Sequence, residues 1–179
     1  MSYTLIATPI GPLGIHWEAE TLTGIDLDPP SSSVETEPRP PGALQGPAAI
    51  DRVDAILTQD GDGEVAPAAI VRQLRDYFGH GTNSFDLPLA LAGTPFQHRV
   101  WALLRTIPAG ETRTYGEIAR ALGTAARAVG QACRANPCLI VVPCHRVVAV
   151  RGLGGFAGDT SGRRLALKRW LLHHEGVAE

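Results

Sequence analysis

The chain has 179 residues, 44% of them hydrophobic and 19% charged, and a mean hydropathy of +0.01. This is the size of one ordinary domain or two small ones, and it excludes a disordered or fibrous chain. The formal net charge of −2 hides two unlike halves: residues 1–95 carry 4 Arg against 13 Asp or Glu (−9), and residues 96–179 carry 12 Lys or Arg against 5 Asp or Glu (+7), the asymmetry of a polyanion-binding half beside an acidic one.

The first 27 residues read as a β meander, Tyr3 to Thr8, Leu13 to Ala19 and Leu22 to Leu27, punctuated by Gly and Pro. From Pro29 to about residue 64 the composition turns to Pro, Ser, Gly and Asp, which predicts loop with a short helical piece near Ala48 to Leu57. Pro67 opens a helix with Ile70, Val71, Leu74, Tyr77 and Phe78 at helical spacing, and Gly79 is expected to stop it. Phe85 to Leu91 reads as a closing strand or linker.

The second half is helical. Thr94-Pro95-Phe96-Gln97 is a capping box for a helix striped by Phe96, Val100, Leu103, Leu104 and Ile107 and ended by Pro108. Thr114-Tyr115-Gly116-Glu117 is a second capping box, for a helix that runs to Leu122 with Gly123 behind it. Thr124 is expected to cap a third, Ala125 to about Ala135. Two short helices joined by a Gly turn fit a helix-turn-helix and an ordinary αα corner equally, and the +7 charge of this half favours DNA. The second of these helices is nearly bare (Ala125, Ala126, Ala128, Gly130, Ala132), with Arg127 as its long cation. That suits a shallow groove and a wedge into the base stack better than sequence readout, although small residues also permit tight helix packing.

Ile140 to Val142 reads as a short strand running into Pro143-Cys144-His145-Arg146-Val147. Neighbouring side chains on a strand point to opposite faces, so Cys144 and His145 cooperate only if the chain turns at Pro143. A thiol attacks carbon as thiolate, and His is suited to take its proton near neutral pH. A buried structural Cys beside a surface His is the competing reading. Cys133, Cys138, Cys144 and His145 lack paired metal-ligand spacing, and three cysteines exclude a disulfide framework and point to a reducing compartment.

Pro143-Cys144-His145-Arg146-Val147, with Arg127-Ala128-Val129-Gly130 and Asn136-Pro137 before it, resembles the active-site signature of the O6-alkylguanine-DNA alkyltransferases, or methylated-DNA-protein-cysteine methyltransferases. Phe96-Gln97, Val100-Trp101, Ile107-Pro108, Thr114-Tyr115-Gly116 and Lys168-x-Trp170-Leu171-Leu172-x-His174-Glu175-Gly176 continue the resemblance, densely from Thr94 to Gly176 and loosely before. It implies an α/β fold. Residues 1–90 would form an α/β domain with a small antiparallel sheet, ribonuclease H-like, with its Pro/Gly-rich loop near 29–64. Residues 91–179 would form a mainly helical, winged-helix-like domain that binds DNA and accepts the alkyl group.

By the same resemblance Cys144 would take the alkyl group irreversibly from O6-alkylguanine, or O4-alkylthymine, once per molecule. His145 would accept the thiol proton through a water, Glu175 would hold His145, and Asn136 would brace the turn. Glu175 stands at the negative end of a helix, which is unfavourable unless a cation or imidazolium compensates; an exposed terminal Glu in solvent, where the penalty is slight, is the competing reading. Tyr115 would donate toward the base, whose exocyclic amine and O6 would meet backbone near Cys144, Val147 and Ala157. Val147, Val148, Phe156, Ala157 and Lys168 would surround the base. Arg127 would fill the gap left when it flips out, and Thr114, Tyr115, Ala128 and Arg134 would contact the DNA. The implied partner is double-stranded DNA containing O6-alkylguanine, bound through the minor groove with little sequence preference by a cytoplasmic monomer without cofactor, metal or membrane.

The chain departs from the family pattern at Phe156, where many members have Tyr, and in a longer stretch from Asp159 to Leu165. Its N-terminal half has no cysteine and only His16 and His80 as soft ligands, so no zinc site is expected there. The competing functions are a non-catalytic lesion-binding relative, from which Cys144 would be missing, a helix-turn-helix regulator, and a Cys-His hydrolase, for which no oxyanion loop is recognisable.

Overall fold

A computed structural model describes residues 1–29, 56–57, 66–81 and 84–177. The fold is mixed α/β, and the chain divides into two compact units, Met1–Leu91 and Ala92–Glu179.

In the first unit, β1 (Ser2–Thr8), β2 (Gly11–Glu18), β3 (Thr21–Asp26) and the two-residue β4 (Ile56–Leu57) form an antiparallel sheet in the order β3-β2-β1-β4. Thr8 pairs with Gly11 and Glu18 with Thr21, so both hairpins close in two residues. Ala19, the first central residue of the second turn, takes the positive φ (52°) that a two-residue reversal favours, and Gly11 takes φ 108° where the first turn enters β2. β4 pairs with Leu5 and Ile6, which corrects the helical expectation for Ile56 and Leu57: pairing with the open edge of β1 overrides local helical propensity there. The rest of the expected helical piece lies outside the described residues.

Helix α1 spans Ala68–His80 and buries Ile70, Val71, Leu74, Tyr77 and Phe78. It outruns Gly79. Gly81 is the left-handed cap (φ 70°), and its amide donates to Tyr77 at 2.7 Å. Beyond it, Leu89 makes a single bridge to Leu22, so the Phe85 to Leu91 stretch is extended chain with one rung, not a full strand.

In the second unit, α2 (Pro95–Leu104) and α3 (Tyr115–Ala121) begin with capping boxes closed in both directions. α2 ends at Leu104, so Ile107 is buried from a turn outside the helix. Gly123 (φ 62°) and the bond from Thr124 N to Ala119 O at 2.9 Å make the turn between α3 and α4 (Ala126–Arg134). The cap of α4 is Ala125, with no side-chain bond, in place of Thr124. The Thr124 amide already closes α3, which places the residue one position too early. Trp101 Nε1 donates to Ala132 O at 2.9 Å and locks α2 to α4.

Ile140 to Val142 is not a strand. Leu139 bridges to Val142 around Ile140, which takes φ 77°, so the chain doubles back just before Pro143. Residues Cys144–Arg146 form one 3-10 turn. β6 (Val147–Val148) then pairs in parallel with β5 (Arg113–Thr114), Thr114 opposite Val148, which sets the first residue of α3, Tyr115, beside the Cys144 turn. Helix α5 (Gly162–His174) is the last element of the described chain. Among the described residues no helix is long and apolar enough to cross a membrane.

Candidate active site

Cys144 sits on a cavity of about 370 Å³ in the second unit, whose walls include Tyr115, Cys133, Phe156 and Ala157. The thiol is held by Asn136, which follows α4. Its Nδ2 donates to Val142 O at 2.8 Å and lies 3.4 Å from Sγ, and its Oδ1 accepts from Cys138 N at 3.0 Å. One amide thus ties the exit of α4 to the reactive turn. Burial pushes the Cys144 thiol up to about 11, against the pull of the Asn136 bond and the Lys168 charge.

His145 and Glu175 have fully buried side chains and meet at 2.7 Å, His145 Nε2 to Glu175 Oε1. Arg146 completes the cluster: its Nε donates to Glu175 Oε2 at 2.8 Å, its Nη2 to Oε1 at 2.9 Å and its Nη1 to Ile107 O at 2.5 Å. Burial alone would raise the Glu175 carboxyl, but the bonds from His145 and Arg146 outweigh it and hold the group at about 2. An ionised carboxylate only accepts, so Nε2 of His145 carries the hydrogen and Nδ1 is the basic nitrogen. That Nδ1 is buried and has no hydrogen-bond partner within the protein. Burial lowers the His145 pKa, and the Glu175 contact opposes it, so the ring is held neutral and ready to take a proton.

Lys168 is wholly buried. Its Nζ donates to Val147 O at 2.5 Å, Leu153 O at 2.7 Å and Gly155 O at 3.0 Å, and lies 5.7 Å from the centre of the Tyr115 ring. Burial pulls its pKa down to about 8. The Tyr115 hydroxyl donates to Gly155 O at 3.0 Å, and burial raises its pKa, so it stays protonated.

Residues 95–177 match the family described as "6-O-methylguanine DNA methyltransferase, DNA binding domain". The methylated-DNA-protein-cysteine methyltransferase of Shigella flexneri is 37% identical over 96% of this chain and 93% of its own, and that of Methanosarcina acetivorans 38% over 98% and 99%. The chain belongs to the methylated-DNA-protein-cysteine methyltransferase family. The crystal structure of Mycobacterium tuberculosis OGT in complex with DNA superposes with a TM-score of 0.71, at 37% identity over 98% of this chain and 93% of that one. The O6-methylguanine-DNA methyltransferase of Pyrococcus kodakaraensis gives 0.62, at 26% identity over 93% and 92%.

Of the residues expected for a methyltransferase of this family, Cys144, Tyr115, Arg134, Phe156 and Ala157 line one cavity, and Asn136 stands behind it against the Cys144 sulfur. His145 and Glu175 form a buried pair beside it. Val147, Val148 and Lys168, expected around the base, are not among the residues that line this cavity. Val147 is buried in the β5–β6 pair with its carbonyl taken by Lys168, and Val148, in the same pair, is half-buried. Lys168 instead braces the backbone behind the wall. Arg127 is exposed in the first turn of α4, Ala128 beside it is half-buried, and the Thr114 hydroxyl is engaged by Glu117 at 2.8 Å.

Arg146 was missed as a site residue. Its signal was the cation that a carboxylate at a helix C-terminus requires. Cys133 also lines the cavity. Among the described residues no group of three His, Cys, Asp or Glu side chains could hold a metal.

Proposed function

We propose that the protein repairs DNA by direct reversal, moving the alkyl group from O6 of guanine, or O4 of thymine, to Cys144 once per molecule. Sulfur forms its bond to the alkyl carbon as the carbon–oxygen bond breaks, and the thiol proton passes through a water to Nδ1 of His145. Glu175, kept ionised by Arg146, stabilises the imidazolium that forms. The departing base holds the electron pair of the broken bond, meets a hydrogen bond from the Tyr115 hydroxyl, which turns away from Gly155 to donate and stays protonated, and in the end takes up, through water, the proton that left the thiol. A buried thiol meets a base only outside the duplex, so the base flips and Arg127 takes its place in the stack. Thr114, Tyr115, Ala128 and Arg134 make the surrounding DNA contacts, through the minor groove and with little base preference.

In this reading residues 1–90 form a ribonuclease H-like α/β domain. Residues 91–179 form a winged-helix-like domain in which α3 and α4 are the helix-turn-helix. The protein acts as a cytoplasmic monomer, in keeping with three free thiols.

The observation that carries the reading is the buried Cys144 facing a cavity, with a neutral His145 whose basic nitrogen has no other partner. The presence of Cys144 disfavours a lesion-binding relative that cannot react. Intact mass after incubation with duplex DNA containing O6-methylguanine tests it. A gain of one methyl group on Cys144 is expected, none in Cys144→Ala, and the same gain in Cys133→Ala and Cys138→Ala. Sustained turnover, or a methyl group elsewhere, would refute it.

A further inference from the structure

The outer wall of the cavity is one tight turn, Phe156 to Asp159. Phe156 N donates to Asp159 O at 2.8 Å and Asp159 N to Phe156 O at 2.9 Å. The two residues between, Ala157 (φ 48°) and Gly158 (φ 96°), are both left-handed, the signature of a type I′ turn. Asn, Asp or Gly is at home in the first of these places. Alanine is not, because its Cβ crowds the following carbonyl, and such a conformation persists only where the surroundings impose it.

What imposes it lies on both sides. Arg164 Nη1, from the first turn of α5, donates to Ala157 O at 2.6 Å, and its Nε is 3.6 Å from the Asp159 carboxylate. The latter pair is exposed and worth little by itself, so the carbonyl bond is what fixes the Ala157 peptide. On the other side Gly158 rests against Arg134, where a Cβ would stand 3.2 Å from Nε. Four residues along α5, Lys168 holds Leu153 O and Gly155 O. Residues at i and i+4 share a helix face, so the wall from 153 to 159 hangs from one side of α5.

We propose that Arg164 is a positioning residue that sets the width of the cavity by holding the Ala157 peptide, and so decides how large an O6 substituent reaches Cys144. The inference rests on the alkyl-transfer reading above. It gives a role to the Asp159 to Leu165 stretch, which supplies Arg164.

The test compares single-turnover transfer to Cys144 from O6-methylguanine and O6-benzylguanine placed in the same duplex. Arg164→Ala should raise the benzyl-to-methyl rate ratio about fivefold, the factor that one hydrogen bond is worth. Arg164→Met, which keeps the aliphatic stem against the loop, should do the same and serves if the alanine variant does not fold. Arg164→Gln keeps a donor without the charge and should stay near the unmodified ratio. Ala157→Gly removes the steric reason for the clamp, and in that background Arg164→Ala should change the ratio less. An unchanged ratio in Arg164→Ala or Arg164→Met overturns the proposal. If duplex affinity also falls and the salt slope drops by about one, Arg164 is a phosphate contact instead. Failure of the unmodified protein to react with either base would refute alkyl transfer itself, a separate result.

Discussion

Arg146 grips both oxygens of Glu175, through Nε at 2.8 Å and Nη2 at 2.9 Å, and the oxygen it shares with His145 is the one that orients the imidazole. The two charges are buried, so each compensates the desolvation of the other, and removing one strands its partner. Arg146→Met should therefore destabilise the protein by about 3–5 kcal/mol, read as a lower urea midpoint with an unchanged slope. A midpoint that hardly moves would mean that Glu175 finds water in place of Arg146.

The same cluster predicts acid sensitivity with a definite sign. The Glu175 pKa is lowered in the folded state from 4.5 to about 2, so its contribution to stability is complete above pH 4.5 and is lost as pH falls toward 2. His145, whose folded pKa is also lowered, acts in the same sense, with stability lost as pH falls below its ordinary 6.5 because the buried neutral ring must charge. Unfolding followed from pH 7 to pH 2 should show this loss, and Glu175→Gln should flatten the part below pH 4.5.

Transfer kinetics should show His145 and Glu175 acting as one unit. Glu175→Gln and His145→Gln should each slow methyl transfer at neutral pH with duplex binding nearly unchanged, and the double variant should lose less than the two single losses combined. Burial places the thiol at about 11, so bulk base should rescue the variants only as pH climbs toward that value, well above the 8.5 of a free cysteine. Strictly additive losses without rescue would leave the pair a structural role.

Arg127 is exposed at the start of a helix with few other long side chains. Arg127→Ala should slow repair in duplex DNA far more than reaction with free alkylguanine base, where no stack is opened. Equal losses would make it one more cation. Duplex affinity should fall steeply with salt while the reaction with free base hardly responds, as expected for a half-chain of charge +7.

Features built from neighbours in sequence were open to reading. Both capping boxes, Thr94 with Gln97 and Thr114 with Glu117, need only four consecutive residues, and Cys144-His145 could be singled out because its chemistry lies in adjacent side chains. Long-range pairing was not. The β5–β6 ladder joins two residues to two others more than thirty positions away, too short for any periodicity to announce it. Lys168 has no partner of opposite charge that a pattern could suggest, since its partners are three backbone carbonyls. Gly79 and Gly81 differ by two positions, and only the folded helix shows which amide reaches Tyr77. At Ile140 a β-branched residue takes a left-handed turn against its own preference, so propensity pointed to a strand.

The burial of Cys144 also bears on how such a molecule keeps until it is needed. A protein that reacts once has no second chance after a stray electrophile finds its sulfur. With burial raising the thiol to about 11 and leaving it 2% exposed, the thiolate is scarce at pH 7. The site is therefore inert in storage. On the proposed mechanism it would become reactive only when a flipped base enters the cavity and the proton leaves for His145, so the arrangement that slows the free thiol would also preserve the supply of unused protein between lesions.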